Sequence, residues 1–119
     1  MKIFIICPVR NASEEQKEQI IAYVEKLTEA GHSVYYPAIH TDQSGDGVNI
    51  CCQNKMALTG AEEIHIFYDP NSAGTLFDLG MAYALEKKLV LINRVEPTAQ
   101  KSFANVILEW AHVGKEIKK

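Results

Sequence analysis

The chain has 119 residues, 47% of them hydrophobic, which is typical of one soluble domain with its own core, so we interpret residues 1–119 as a single domain. Its net charge of −3 at pH 7 argues against binding to a nucleic-acid backbone, which usually requires a basic face. No apolar run approaches the roughly 20 residues of a membrane helix, and the N-terminus lacks a signal-peptide pattern, so we expect a cytoplasmic protein without a membrane partner.

Four apolar runs predict the strands of a parallel sheet. The first, residues 2–7 (KIFIIC), is continuous and closes at Pro8, which is typical of a strand buried on both faces. Three more follow, at residues 33–37 (SVYYP), 63–68 (EIHIFY) and 88–93 (KLVLIN). His65 alternates into the third run, and we interpret it as a core histidine with a hydrogen-bond partner.

Helices are predicted between and after these strands. Ser13 to Gln16 match a capping box, which begins a helix that ends at Gly31. Further helices are predicted at about residues 50–59, after Thr75, and at about residues 98–112, whereas residues 38–49 (AIHTDQSGDGVN) are predicted to be a long loop. Strands that alternate with helices predict an α/β domain with right-handed crossovers.

Three segments follow strands and are therefore expected at the same edge of the sheet: CPVRNAS, YPAIHTDQSGDG and YDPNSAGT. Open α/β sheets bind ligands at the carboxyl ends of their strands. Arg10, just ahead of a helix N-terminus, favours an anion such as phosphate, or it pairs with an acid as an ordinary surface charge.

Asp78 also allows two interpretations. With Thr75 as the N-cap, Asp78 is the third helical residue, where the helix dipole alone favours a carboxylate. The same dipole would keep it ionised as a nucleophile. Ser72 and Thr75 offer hydroxyls and Gly74 allows close approach of a ligand, although these residue types are also ordinary helix caps. His and Cys residues show no metal-ligand spacing, so we expect no metal and no other cofactor.

Two segments resemble the nucleoside 2-deoxyribosyltransferase family, namely residues 72–92 (SAGTLFDLGMAYALEKKLVLI) and residues 2–13 (KIFIICPVRNAS). The resemblance implies a flavodoxin-like three-layer α/β domain with a parallel sheet of four to five strands. It also implies assembly as homodimers or larger oligomers, and cleavage of an N-glycosidic bond through a carboxylate nucleophile, as in retaining glycosidases.

The resemblance places the catalytic positions of the family on residues of different chemistry. The nucleophile, a glutamate in the family, falls on Asp78, and the second acid falls near Asn54, which has no carboxyl proton. Asp69 is an alternative acid. The aromatic hydroxyl that orients the nucleophile falls on Phe4.

The binding positions implied by the resemblance lie in the loops after the strands. Arg10 and Ser72 fall where the branch acting on nucleoside 5′-monophosphates holds phosphate, and Ser102 falls near a serine that a partner subunit lends to the site. His40 lies in the loop that contacts the base in the family. The remaining predicted substrate-binding residues are Pro8, Asn11, Gly74 and Thr75.

Two functional hypotheses follow. The first is an enzyme that cleaves or transfers the N-glycosidic bond of a (deoxy)nucleoside 5′-monophosphate. The second is a nucleotide-binding protein that has lost turnover and acts as a sensor or sequestering module, which the residues at positions 78 and 54 motivate. A third and weaker hypothesis is a receiver-like signalling domain. Such a domain would have a pair of acidic residues after the first strand, whereas this chain has CPVR there.

Overall fold

The computed structural model describes the backbone of residues 1–117 and the side chains of residues 1–112, so two residues of the predicted domain lie outside the described part. Four strands and five helices lie along residues 1–117. In chain order they are β1 (Lys2–Ile6), α1 (Glu14–Glu29), β2 (Ser33–Tyr35), α2 (Pro37–His40), α3 (Gly47–Gly60), β3 (Glu63–Ile66), α4 (Ala73–Ala84), β4 (Lys88–Leu91) and α5 (Phe103–Ile117). Of these helices, none is long and apolar enough to cross a membrane.

The strands form one parallel sheet in the order β2-β1-β3-β4. Phe4 at the centre of β1 pairs with Tyr35 of β2 and with Ile64 of β3. The predicted parallel α/β sheet is therefore confirmed, with four strands in the described part of the chain. Because all four strands run the same way, the loops that follow them lie at one edge of the sheet.

Helices cover both faces of this sheet. On one face, Phe4 and Ile66 pack against Leu58 of α3, Leu79 of α4 and Ile107 of α5. On the other face, the buried side chains of β1 form a second cluster with Ile20 of α1. Full burial of such a side chain stabilises the fold by roughly 1.5–3 kcal/mol. The two clusters therefore hold helix, sheet and helix together as three layers, as the flavodoxin-like prediction requires.

The first helix begins and ends as the sequence predicts. The Gln16 backbone N–H donates to Ser13 Oγ at 3.1 Å, and the Ser13 N–H donates to Gln16 Oε1 at 3.0 Å, which completes a capping box. After α1 the chain reverses at Gly31, whose φ of 95° lies in the left-handed region that favours glycine.

The predicted long loop at residues 38–49 is wrong. Residues Pro37–His40 form a helical turn with proline in its first position, and α3 begins at Gly47 because the Asp46 carboxylate accepts the Asn49 N–H at 2.8 Å. Only residues 41–46 connect the two helices. The predicted start of the last helix at Thr98 is also wrong, since α5 begins at Phe103.

Candidate active site

The start of α4 determines how Asp78 is to be interpreted. Ser72, not Thr75, is the N-cap: its Oγ accepts the Thr75 backbone N–H at 3.2 Å. The helix begins at Ala73, so Asp78 is its sixth residue and lies beyond the first turn. Because the effect of the helix dipole falls off within one turn, the expected first-turn position of Asp78 is wrong, and the dipole does not account for this carboxylate.

Asp78 is a buried carboxylate. Its exposed fraction is 8%, and the described side chains of residues 1–112 form no ion pair with it. Burial raises its pKa from 3.8 to about 6, while a hydrogen bond from Asn54 acts in the opposite direction. Burying a carboxylate without a cation is costly, and a raised pKa at the edge of a sheet where ligands bind is typical of a functional group.

Cys7, at the end of β1, lies within the electrostatic reach of Asp78. Burial, and secondarily the Asp78 charge, raise the pKa of the Cys7 thiol to about 12. The thiol therefore stays neutral at physiological pH and is unsuited to act as a nucleophile.

Asn54 is the hydrogen-bond partner of Asp78. The Asn54 Nδ2 donates to Asp78 Oδ2 at 3.4 Å, and Asn54 Oδ1 accepts the Thr41 hydroxyl at 2.7 Å. The Tyr35 hydroxyl lies 2.7 Å from Thr41 Oγ1. The structure thus brings together two predicted catalytic residues, Asp78 and Asn54, and adds Thr41 and Tyr35.

Beside Phe4, the residue on which the resemblance places an aromatic hydroxyl, the neighbouring strand β2 carries Tyr35. Phe4 is fully buried, and its ring stacks on the Tyr35 ring with 5.4 Å between centroids. The Tyr35 hydroxyl reaches Thr41 and not the carboxylate itself. The hydrogen-bonded connection from this hydroxyl to Asp78 therefore runs through Thr41 and Asn54.

Asp69, the alternative acid, lies in the loop after β3. Its Oδ1 accepts the Asn71 N–H at 2.9 Å, and its Oδ2 accepts Gln16 Nε2 at 3.3 Å. It forms no hydrogen bond to Asp78 or Asn54. The bond to Gln16 holds the loop before α4 against the start of α1, so the two ligand-binding loops expected from the sequence are neighbours.

Arg10 is exposed, and it forms no hydrogen bond or ion pair with the described side chains. The expectation of a paired surface charge is therefore not met within residues 1–112. Asn11 beside it is exposed as well, whereas Pro8 is buried at the end of β1. A Cβ atom added at Gly74 would meet nothing within 4 Å, so the backbone at the start of α4 faces open space.

Three other predicted binding residues do not reach Asp78 or Asn54 by hydrogen bonds. Thr75 is fully buried, and its Oγ1 has no hydrogen-bond partner in the described part of the chain. The exposed His40 accepts the Tyr36 N–H at Nδ1. Ser102 Oγ accepts the Asn105 N–H at 3.2 Å, so it caps α5.

Neither a protein-family model nor a curated protein sequence matches this chain. Solved structures do. A 2-deoxyribosyltransferase from Bacillus psychrosaccharolyticus is similar over 92% of this chain and 82% of its own, with a TM-score of 0.71 and 20% identity. A CMP N-glycosidase from Clostridium botulinum is similar over 76% of this chain and 70% of its own, with a TM-score of 0.60 and 20% identity. The chain has the 2-deoxyribosyltransferase fold. The fold that the resemblance of the two sequence segments implies is therefore confirmed.

In this 2-deoxyribosyltransferase fold, Asp78 lies apart from two grooves in the surface. One, of about 550 Å³, is lined by residues that include Tyr35 and His40, and another, of about 570 Å³, by residues that include Tyr23 and Arg94. Neither contains Asp78 or Arg10. Among the described residues, no group of three His, Cys, Asp or Glu is arranged to hold a metal ion. The candidate site consists of the buried Asp78 carboxylate, the Asn54 amide that donates to it, and the loops that follow β1 and precede α4.

Proposed function

We propose that this protein belongs to the nucleoside 2-deoxyribosyltransferase family and cleaves or transfers the N-glycosidic bond of a (deoxy)nucleoside 5′-monophosphate, with Asp78 as the nucleophile. The observation that carries this proposal is the burial of Asp78 beside Asn54, without a cation among the described side chains. The two structural neighbours are named for N-glycosidic cleavage of CMP and for deoxyribosyl transfer, which supports the same reaction class.

The reaction needs one carboxylate that is ionised and poorly solvated. A carboxylate oxygen of Asp78 forms a bond to the anomeric carbon of the sugar, and the bond from that carbon to the base nitrogen breaks, its electron pair leaving with the base. Water then attacks the resulting ester and releases the sugar phosphate, or a second base attacks and completes a transfer. Because burial raises the pKa of Asp78 to about 6, the group is mainly ionised at neutral pH and retains high basicity for a carboxylate.

The departing base needs a proton that Asn54 does not supply, since an amide is not a general acid at neutral pH. We propose Asp69 for this role because its loop runs directly into α4, the helix that carries Asp78. Asn54 then has a different part: its N–H stabilises the ionised Asp78 carboxylate.

The phosphate of the substrate is proposed to lie between Arg10 and the N-terminus of α4, where Ser72 and Gly74 lie. Arg10 forms no ion pair with the described side chains, and a helix N-terminus favours an anion. Asn11 and His40 are proposed to contact the rest of the substrate. The fully buried Phe4 and Thr75, with the buried Pro8, are proposed to shape the site from beneath. In a cytoplasmic homodimer or larger oligomer, Ser102 would come from the partner subunit.

A second candidate function is nucleotide binding without turnover. The observation that favours it is the amide of Asn54 at the position where the resemblance expects an acid. Under this proposal Arg10 and Ser72 bind the phosphate, and the protein acts as a sensor or sequesters the nucleotide.

Release of free base distinguishes the two functions. The protein is incubated with a panel of ribo- and deoxyribonucleoside 5′-monophosphates and the matching nucleosides, and products are separated by chromatography, beside an Asp78→Asn variant. Base release that is lost in Asp78→Asn supports the enzyme. Calorimetric binding of a monophosphate with no base release would support the binding protein, and an equal rate in both proteins would exclude Asp78 as the nucleophile.

A further inference from the structure

Four side chains from β2, α3, α4 and the loop after α2 form one continuous hydrogen-bonded chain. It runs from the Tyr35 hydroxyl to Thr41 Oγ1 at 2.7 Å, from Thr41 to Asn54 Oδ1 at 2.7 Å, and from Asn54 Nδ2 to Asp78 Oδ2 at 3.4 Å. Thr41 and Asn54 are 3% and 7% exposed, so water has little access to replace these bonds.

When Asp78 is ionised, the chemistry of the four groups fixes the direction of every hydrogen bond in this chain. An ionised carboxylate only accepts, so the Asn54 N–H₂ group faces Asp78 and the Asn54 oxygen faces Thr41. Thr41 must then donate its single hydroxyl proton to that oxygen. The Thr41 oxygen is left as an acceptor, and Tyr35 is therefore the donor to it.

We propose that Thr41 and Tyr35 are positioning residues for the nucleophile: they hold the Asn54 amide in the one orientation that stabilises an ionised Asp78. The proposal rests on the function proposed for this site and deepens it. If the amide turned over, its oxygen would face Asp78 and would accept a proton from the neutral carboxylic acid. That orientation favours the protonated form, which is not nucleophilic. While Thr41 donates its proton to the Asn54 oxygen, that oxygen stays turned away from Asp78, and a flip of the amide would require the Thr41 and Tyr35 hydroxyls to reverse their hydrogen bonds as well.

Tyr35 and Thr41, the half of this hydrogen-bonded chain farthest from Asp78, are held in place by other contacts. The Tyr35 ring stacks on Phe4 of β1 at an interplanar angle of 10°. The Thr41 N–H donates to the Pro37 carbonyl at 3.1 Å, and the next N–H, that of Asp42, donates to Gln53 Oε1 at 3.0 Å. Tyr35 is thereby held by the sheet, and Thr41 is held between α2 and α3.

Few other groups act on the Asp78 carboxylate. Cys7, at the end of β1, is the titratable neighbour whose pKa responds to the Asp78 charge, and the thiol is neutral below pH 12 or so. No cation forms an ion pair with Asp78 among the side chains of residues 1–112. The orientation of the Asn54 amide is therefore the main polar control over the ionisation of Asp78.

The test measures the pKa of Asp78 by following its side-chain carboxyl carbon in an NMR titration, with the Asp78→Asn spectrum used to assign the signal. Thr41→Val removes the hydroxyl and keeps the shape of the side chain. We expect this variant to raise the pKa of Asp78 by about one unit, as expected when a hydrogen bond to a charged form is lost. Thr41→Ser retains the hydroxyl and should leave the pKa as in the natural protein.

A double variant separates positioning from a general structural effect. If Thr41 acts through Asn54, Thr41→Val should add nothing to the pKa change that Asn54→Ala produces. A further rise in the double variant, or no change in Thr41→Val where Asn54→Ala has a clear effect, would overturn the proposal.

Tyr35→Phe is a second variant for the same NMR titration, to be used if Thr41→Val does not fold. Loss of the Tyr35 donor should raise the pKa of Asp78 by a smaller amount than loss of Thr41, and an unchanged value would overturn the role of Tyr35. These titrations do not depend on turnover. A protein without base release but with these pKa changes would contradict the proposed function and leave the positioning chain standing.

Discussion

The Asn54 amide donates a hydrogen bond to the Asp78 carboxylate across 3.4 Å, joining α3 to α4 in a site where both side chains are buried. In a retaining glycosidase two carboxyl groups share the work of nucleophile and acid. Under the function proposed for this site, the Asn54 amide stands in the place of the second carboxyl group, so it stabilises the charge of Asp78 and the acid has to come from another residue.

Removing the Asp78 charge should stabilise the protein at neutral pH. The folded state holds the proton up to about pH 6, whereas the unfolded chain releases it near pH 3.8, so the free energy of unfolding falls as pH rises between these values. At about 1.4 kcal/mol per pKa unit, Asp78→Asn should raise the free energy of unfolding above pH 7 by on the order of 3 kcal/mol. Near pH 4 the difference should nearly vanish.

Urea denaturation at pH 4, 6 and 8 measures this pH dependence. Asp46→Asn is a matched control, because Asp46 is exposed and asparagine caps a helix as well as aspartate does. A stabilisation of Asp78→Asn that is equal at all three pH values would show that burial does not raise the pKa of Asp78.

Arg10→Ala should weaken the binding of a nucleoside 5′-monophosphate by tenfold or more and that of the matching nucleoside little. A hydrogen bond to a charged group contributes roughly 1.5–3 kcal/mol, which corresponds to at least about tenfold in affinity. Isothermal titration calorimetry of both ligands measures the difference. Lys26→Ala removes a positive charge from the last turn of α1, whereas Arg10 lies in the loop before that helix, and should change neither affinity. Equal losses for nucleotide and nucleoside would argue against phosphate recognition by Arg10.

Tyr23→Phe should lower the free energy of unfolding by about 1 kcal/mol, a typical contribution of one hydrogen bond. The Tyr23 hydroxyl lies 2.5 Å from His65 Nδ1, and His65 Nε2 lies 3.0 Å from Glu63 Oε1. Tyr83→Phe is the control, since Tyr83 is 60% exposed. Urea denaturation compares the two variants, and an equal effect of both would show that the bond to His65 does not stabilise the fold. Binding of nucleotide should be unchanged in either variant.

The sequence predicted the layers of the fold and the core histidine correctly, for the same reason. Continuous apolar runs require burial on both faces, and His65 within such a run needs a polar partner, which Tyr23 and Glu63 provide. These inferences depend on local sequence patterns, which do not require knowing which elements of the chain contact one another.

The cap of α4 and the support of Asp78 could not be predicted in the same way. Ser72 and Thr75 are both competent caps, and only the course of the chain after Asp69 decides between them. The hydrogen bond from Thr41 to Asn54 joins residues 13 positions apart and depends on where α2 and α3 begin. The composition of residues 38–49 predicts a loop and gives no sign of these two helix starts. Side-chain contacts between separate elements leave no periodic signal in the sequence.

Detection of a sugar phosphate bound covalently to Asp78 tests the account most directly. The protein is mixed with the nucleoside 5′-monophosphates of the panel, quenched in acid within the first turnover, and analysed by mass spectrometry of the intact chain and of its peptides. We predict a mass increase of one sugar phosphate on the peptide that contains Asp78, together with loss of both the adduct and base release in Asp78→Asn. An adduct on another residue, or undiminished base release by Asp78→Asn, would contradict the assignment of Asp78 as the nucleophile.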